Sequence, residues 1–386
     1  MYLIIVIIIV VLIYSMLRCI YRQSWNKQLN IKLEFSQENA FEGEEIQLTE
    51  TITNKKILPL PVVMLKFNVS RCLRFTDTCT TLNNCVNDSF KDGNNSVVTD
   101  YVYRNDITYV GPLTQKKRSI PVSCTSRGYC NISNLYRICS DPFLSSKLVD
   151  SQQVNTHIYI FPRFLDTQKF ETSFKSLMGE ILTKRYINED PFEFRGIRDY
   201  QSFDPLKSVN WKASARSMNL KVNQTDATSS CQVTILLNLE SSSGLRDEEL
   251  DESSIRLAAT LANQLSRLGI MVSFITNARD DTSSQVIQIP HGCGDEHIKS
   301  ILMGLAKINV YHHKPDSFCN IVTHAVNNSQ KNDWFLVISG VISDRINLAL
   351  EPVINDLKYI FPTRPDDTYT IPDFLKNSFL PFIINY

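Results

Sequence analysis

The chain has 386 residues, 43% hydrophobic and 21% charged, and its 40 basic side chains are balanced by 40 acidic ones. That length exceeds what one core usually fills, so two domains and a connector are expected. The composition is that of a folded protein, and the zero net charge excludes a bulk nucleic-acid binder.

Residues 1–17, MYLIIVIIIVVLIYSML, carry no charge, and with the residues up to Tyr21 they approach the roughly 20 that cross a bilayer. A single spanning helix over residues 1–21 is therefore expected. A cleaved signal would place Lys or Arg before the apolar run and small residues after it, whereas this run starts at Met1 and ends in Arg18-Cys19-Ile20-Tyr21-Arg22. Arg18, Arg22 and Lys27 all follow the run. The positive-inside bias thus puts the amino terminus outside and the remaining chain in the cytoplasm, as a single-pass protein of the cell membrane. Of the ten cysteines, Cys72, Cys79, Cys85, Cys124, Cys130 and Cys139 fall in one region and outside the cell would suit three disulfides. Their irregular spacing, the lack of any CxxC pair and the cytoplasmic placement favour free buried thiols.

From residue 29 to 165 short apolar or β-branched runs alternate with turn-forming clusters, which predicts an all-β sandwich. Between Glu45 and Thr53 the period-two positions Ile46, Leu48 and Ile52 form one buried face, and Glu50 interrupts it, so that strand is expected to reach the edge of the core there. A connector follows over residues 166–230. Within it RGIRDYQSFDPLKSVNWKASAR, from Arg195 to Arg216, gathers the charges Arg195, Arg198, Asp199, Asp204, Lys207, Lys212 and Arg216 around Trp211. Asp204 followed by Pro205 predicts an N-cap and a first-turn proline opening a helix through about Arg216. Residues 219–222 read as a return strand.

From Cys231 to the end strands and helices alternate. VTILLNL, IMVSFIT and WFLVIS are strand candidates, and between the first two a helix presents Ile255, Ala258, Ala259, Ala262 and Leu265 on one face, with Gly269 ending it. A second helix opens at Asp295 after Gly292-Cys293-Gly294, and a third is predicted through RINLALEPVINDLKY. Continuous apolar strands joined by helices argue for an open, mostly parallel sheet covered on both faces. Ligands of such sheets sit beyond the strands' carboxyl ends, here Asn238 to Gly244 and Ser339-Gly340.

Gly196-Ile197-Arg198-Asp199-Tyr200, with Asp204, Asn210-Trp211 and Ser214-Ala215-Arg216, resembles the signature of the bacterial domain of unknown function 58 family. Phe41-Glu42-Gly43-Glu44, Asn54, Pro59-Leu60-Pro61, Arg127-Gly128-Tyr129 and Asp141-Pro142-Phe143 extend the resemblance over most of the chain beyond the membrane helix. The family usually continues the last of these with glycine, where this chain has Leu144. The resemblance implies a C-terminal domain similar to the von Willebrand factor A fold and a MoxR-type AAA+ ATPase as partner. Such domains often hold Mg²⁺ through Asp-x-Ser-x-Ser after the first strand, because hard cations want several oxygens at a strand-end loop. Here the equivalent positions are Asn238, Glu240 and Ser242, with Ser339 and Gly340 after the later strand. A metal-free domain without cofactor is expected.

The signature reads in two ways. Arg195, Arg198 and Arg216 suit bidentate contacts to a partner's carboxylates around a Trp211 anchor, with Gly196, Asp199, Tyr200 and Ser214 shaping the surface. Alternatively Asp199 and Asp204 pair with those arginines internally and Trp211 is buried. Catalytic motifs are missing: Ser241-Ser242-Ser243-Gly244 lacks the context of a nucleophile elbow, no Walker or Rossmann glycine pattern occurs, and His291, His297, His312 and His313 fit no common metal spacing, with solvent exposure the default. The expected function is a non-enzymatic, membrane-anchored adaptor. Its alternative is a metal-dependent adhesion module or hydrolase that uses the loop after the first α/β strand.

Overall fold

The computed structural model describes residues 2–75, 100–107, 109–141, 146–166, 177, 179–181, 194–201, 204, 206–225, 232–241, 247–309, 315–329, 333–364, 371–376 and 378–383. The chain divides into two compact units, Met1–Arg163 and Phe164–Tyr386.

The first unit opens with α1 (Tyr2–Ser24), whose segment Ile4–Ser24 is apolar and long enough to span a membrane. Then come β1 (Leu29–Phe35), β2 (Asn39–Phe41), β3 (Glu45–Asn54), β4 (Val62–Ser70), β5 (Leu73–Phe75), β6 (Asp100–Ile107), β7 (Gln115–Cys124), β8 (Gly128–Ser140) and β9 (Lys147–Phe161). They form two sheets, ordered β1-β3-β7-β5 and β2-β9-β8-β4-β6, antiparallel throughout except where β2 runs parallel to β9. Side chains alternate in burial along strands such as β1, β3 and β4, and both sheets feed one core through residues such as Leu33, Leu48, Phe67, Leu135 and Ile160. Glu50 corrects the sequence expectation. It is 1% exposed and stays in the buried row of β3 between Leu48 and Ile52 instead of marking the core's edge. Asn54 ends that row with its amide donating to the carbonyls of Leu58 (2.9 Å) and Gly111 (2.8 Å).

Cys72, Cys124, Cys130 and Cys139 are free thiols buried in this core, while Cys79 and Cys85 lie outside the described residues. Burial pushes the Cys124 thiol up to about 12.

The last turn of α1 belongs to the same core. Tyr21 and Trp25 are 1% and 5% exposed, and the Tyr21 hydroxyl donates to the Ser140 carbonyl at 3.2 Å beside the Cys139 sulfur. Lys56 closes the helix end, its ammonium donating to the carbonyls of Ser24 (3.1 Å), Trp25 and Lys27 (3.2 Å), where the helix dipole is negative. Burial is the main cause that lowers Lys56 to about 8, opposed by the Cys139 thiol and reinforced by the Arg137 guanidinium. The chain turns into β1 at Gln28, held at φ 56°.

The second unit begins with a hairpin of β10 (Phe194–Asp199) and β11 (Lys221–Thr225), between which lies α2 (Trp211–Ser217). A six-stranded sheet follows, built from β12 (Gln232–Asn238), β13 (Met271–Arg279), β14 (Val286–Gly292), β15 (Asp333–Ser339), β16 (Leu357–Thr363) and β17 (Phe379–Ile383). Its helices are α3 (Glu248–Arg267), α4 (Asp295–Lys307), α5 (Phe318–Asn327) and α6 (Asp344–Leu350). The order is β14-β13-β12-β15-β16-β17, parallel but for the β14 edge. Every residue of β15 is buried, as a strand covered on both faces requires. Leu236 packs in one cluster with Phe318, Val322, Ile346 and Leu350, and the alternate residues Val233, Ile235 and Leu237 are equally buried on the other face.

Gly269, at φ 72°, ends α3 with its amide donating to Ser266 and that of Ile270 to Leu265, the paired bonds of a Schellman stop. The predicted helix through Lys358-Tyr359 is corrected. α6 stops at Leu350, Pro352 leads into a 3-10 segment (Glu351–Asp356), and Leu357 already starts β16, because proline removes a helical donor and LKYIFPT suits a buried strand. α5, β14, β16 and β17 had no counterpart among the sequence candidates.

Trp25→Ala is expected to destabilise the N-terminal unit by about 3–5 kcal/mol, as large-to-small core substitutions do. A lower denaturant midpoint of the full chain in detergent, read from β-sheet circular dichroism, checks it.

Candidate functional site

The signature folds around the β10–β11 hairpin. The strands pair Arg198 with Val222 and Asp199 with Lys221, and a register shift between Phe194 and Gly196 puts Gly196 at a bulge. A Cβ at Gly196 would meet nothing within 4 Å, so close packing is not what requires glycine there. The Asp199 carboxylate takes the Lys221 ammonium at 2.6 Å on the exposed side.

Asp204 does not cap a helix. Both its oxygens accept from Arg198, Oδ2 from Nη1 and Oδ1 from Nη2, each at 2.6 Å, and Oδ2 also accepts the Gln201 amide at 2.9 Å. The charge-assisted fork won because a bidentate guanidinium outcompetes a single backbone amide. These bonds to Arg198 hold the Asp204 carboxyl below its ordinary range, against the opposing effect of burial. Pro205 lies outside the described residues. Asn210 is the cap instead: its side-chain oxygen accepts the Ala213 amide at 2.9 Å at the start of α2. Ser214, buried, ties α2 to the hairpin by donating to the Asn210 carbonyl and accepting the Lys221 amide, both at 2.8 Å. The Tyr200 amide donates to the Leu220 carbonyl at 2.9 Å.

This frame leaves its apolar residues outside. Trp211 is 66% exposed, Leu206 65% and Met218 93%, and Lys207, Lys212 and Arg216 are exposed with them. Arg198 is thus committed to an internal pair, Trp211 is not buried, and the Arg195 side chain is outside the description.

The second candidate is the switch point of the six-stranded sheet, where the chain leaves β12 for β13 on one side and later returns to β15 on the other. There Asn238 pairs with Ser339 across the parallel strands. The Asn238 amide donates to Ser339 Oγ at 2.9 Å, and its oxygen accepts from Asn277 Nδ2 (2.8 Å) and the Glu240 amide (2.9 Å). Asn277 Oδ1 takes the Leu239 amide at 2.9 Å. Ser339 Oγ donates in turn to the Val341 carbonyl at 2.9 Å. Glu240 turns to α5, accepting the Phe318 amide at its first turn, 2.9 Å away. Asn238, Asn277 and Ser339 are all at most 4% exposed. The side-chain oxygens of Asn238 and Ser339 and one carboxylate oxygen of Glu240 are bonded within the protein, and Ser242 lies outside the described residues. Asn277 was missed in the sequence, where its signal is a lone amide at the end of the apolar run MVSFITNAR.

Of the histidines, His297 departs from plain exposure: its Nε2 lies 2.7 Å from the Val272 carbonyl, and a Cβ on Gly292 would come within 2.5 Å of the ring. Gly292 is therefore needed for close approach. His312 and His313 lie outside the described residues.

A membrane-length apolar helix, a β unit and an α/β unit opened by a bulged hairpin define a mixed α/β protein of several sheets. Residues 196–358 match the family described as "Protein of unknown function DUF58". The motifs before Arg195 lie outside the match. No curated protein matches the chain. Similar solved structures include one described as "AvmM Catalyzes Macrocyclization in Alchivemycin A Biosynthesis", 10% identical at TM-score 0.25 over 36% of this chain and 94% of that one. Another is the sporulation control protein Spo0M from Bacillus subtilis, 10% identical at TM-score 0.18 over 33% of this chain and 49% of that one.

Two predictions test this geometry. A depressed carboxylate stabilises the fold above its unfolded value of ~3.9 and loses that contribution as pH falls through the lower folded value. Exchange of the Gln201 amide should therefore accelerate only in acid below that range, and in Asp204→Asn it should be fast at neutral pH. Asn238→Ala strands the partners of a buried amide and is expected to cost about 1–3 kcal/mol in denaturant unfolding.

Proposed function

We propose that the chain is a membrane-anchored, non-enzymatic interaction protein whose signature helix docks a partner with an acidic, apolar-pocketed surface. The exposure of Trp211 carries the reading. A large aromatic held out on a braced frame beside Lys207, Lys212 and Arg216 has the make-up of a binding anchor with a basic rim. The family resemblance makes a MoxR-type AAA+ ATPase the partner of choice. It also supports reading the two units as a β-sandwich and a von Willebrand A-like domain. Arg18, Arg22 and Lys27, which follow the apolar run, support a single pass with both units in the cytoplasm. The bonded state of Asn238, Asn277 and Ser339 favours this over a metal-dependent module.

Trp211 makes none of the hydrogen bonds that Asn210 and Ser214 use to hold α2, so Trp211→Asp should leave the fold intact. Affinity purification of the full chain from membranes is expected to bring down an AAA+ ATPase, and Trp211→Asp or Lys212→Glu to lose it. Recovery that is unchanged in both variants, or no ATPase with the unaltered chain, would sink the reading.

A further inference from the structure

Cys72, Cys124, Cys130 and Cys139 are not spaced evenly through the core of the first unit. Cys72 directly precedes β5, the three-residue strand at the end of one sheet, and its carbonyl accepts the Thr125 amide at 2.8 Å just past β7. Cys130 is the third residue of β8, in the other sheet, and is fully buried. The two meet between the sheets. Their thiols are hydrogen-bonded to each other. A Cβ at Gly128, two residues before Cys130 and so on the same face of β8, would stand 3.4 Å from both the Cβ and the Sγ of Cys72. Cys72 thus lies against β8 where that strand has no side chain. Cys139, toward the far end of β8, is instead in contact with the Tyr21 hydroxyl at 3.2 Å. Cys124, the register partner of Leu73, is the third thiol near Cys72.

We propose that Cys72 and Cys130 are a redox pair that closes to a disulfide under oxidising conditions and so fastens the end of one sheet to the other. Both are free thiols in a core that is closed without the bond, so the disulfide is a response to oxidation and no part of the resting fold. Thiols already in contact need only side-chain rotation to bring their sulfurs to about 2.0 Å. The oxidant is a small-molecule or protein disulfide. The Cys72 thiolate attacks one of its sulfurs and releases a first thiol; the Cys130 thiolate then attacks the Cys72 sulfur and releases the second. Two electrons pass from the pair to the oxidant, and the two protons leave with the released thiols. In the closed core the contact with Cys130, and burial after it, hold the Cys72 thiol well above its usual range, which keeps the pair unreactive. Access comes through β5. That strand pairs with β7 through three residues and ends its sheet among the described strands, and short edges open far more readily than a whole domain. Cys72 is 7% exposed beside exposed Arg71 and Thr125, whereas Cys130 is 0% exposed, so Cys72 is the member that meets the oxidant.

The full chain, folded in detergent and fully reduced, is incubated with oxidised glutathione, quenched in acid, unfolded and labelled with N-ethylmaleimide. Peptide mass spectrometry should find Cys72 joined to Cys130, and dithiothreitol should return both to the labelled pool. Because the bond closes a long loop of the unfolded chain, the urea midpoint of the first unit, read from maleimide labelling of the buried Cys139, should rise by about 1–2 M on oxidation. Cys130→Ser should show neither the bond nor the rise, and Cys124→Ser, which leaves the pair intact, should keep both. Three results would each overturn the proposal: both thiols of the folded chain still labelled after oxidation, a Cys72–Cys124 bond in place of the expected one, or a midpoint that stays or falls when the bond forms.

Discussion

The burial of Tyr21 and Trp25 is the constraint on which the N-terminal unit turns. An apolar helix that only tethers a domain would run into a polar linker. Here the last turn ends inside the core shared by two sheets, and the Lys56 ammonium holds its final carbonyls. Two buried aromatics of this size remove on the order of 150–250 Å² each from water, worth several kcal/mol even after discounting for a compact unfolded state. Rotation of α1 against the sheets would give that up together with the bonds of Tyr21 to Ser140 and of Lys56 to Ser24. The end of the helix and the sheets therefore move as one body.

Much of the fold was legible because it follows from periodicity. The alternation in EIQLTETITN, the apolar runs of β12, β13 and β15 and the glycine after α3 each reflect one local rule, and the structure follows them. The misses come from places where a longer-range partner overrode that rule. Asp204 before Pro205 has the form of a cap, but Arg198, six residues earlier and on the neighbouring strand end, offered two bonds in place of one. Glu50 interrupts the apolar face of its strand, and nothing in the strand's own sequence shows that the row stays buried around it. The helix assigned through Tyr359 ran on because LALEPVINDLKY keeps a helical period until Pro352 interrupts it. The switch-point network was half visible: Asn238 and Ser339 stand at predicted strand ends, whereas the contribution of Asn277 depends on strand order, which periodicity does not set.

The side chain at position 238 is an amide and not a carboxylate, which decides how the strand end is held. An ionised aspartate is an acceptor only, and at a buried strand end facing the Ser339 hydroxyl and the Glu240 amide it would need a cation to balance it. An asparagine has a donor and an acceptor at the same place. Asn238 uses both, donating toward β15 and accepting from β13, and so links three adjacent strands with no net charge. The switch point of the sheet is thus held by a neutral brace. The same economy governs the hairpin, where Arg198 and Asp204 neutralise each other and leave the exposed positions to Trp211, Met218 and the unpaired cations. In both places polar or charged groups are bonded within the protein, and what the signature exposes is apolar and basic.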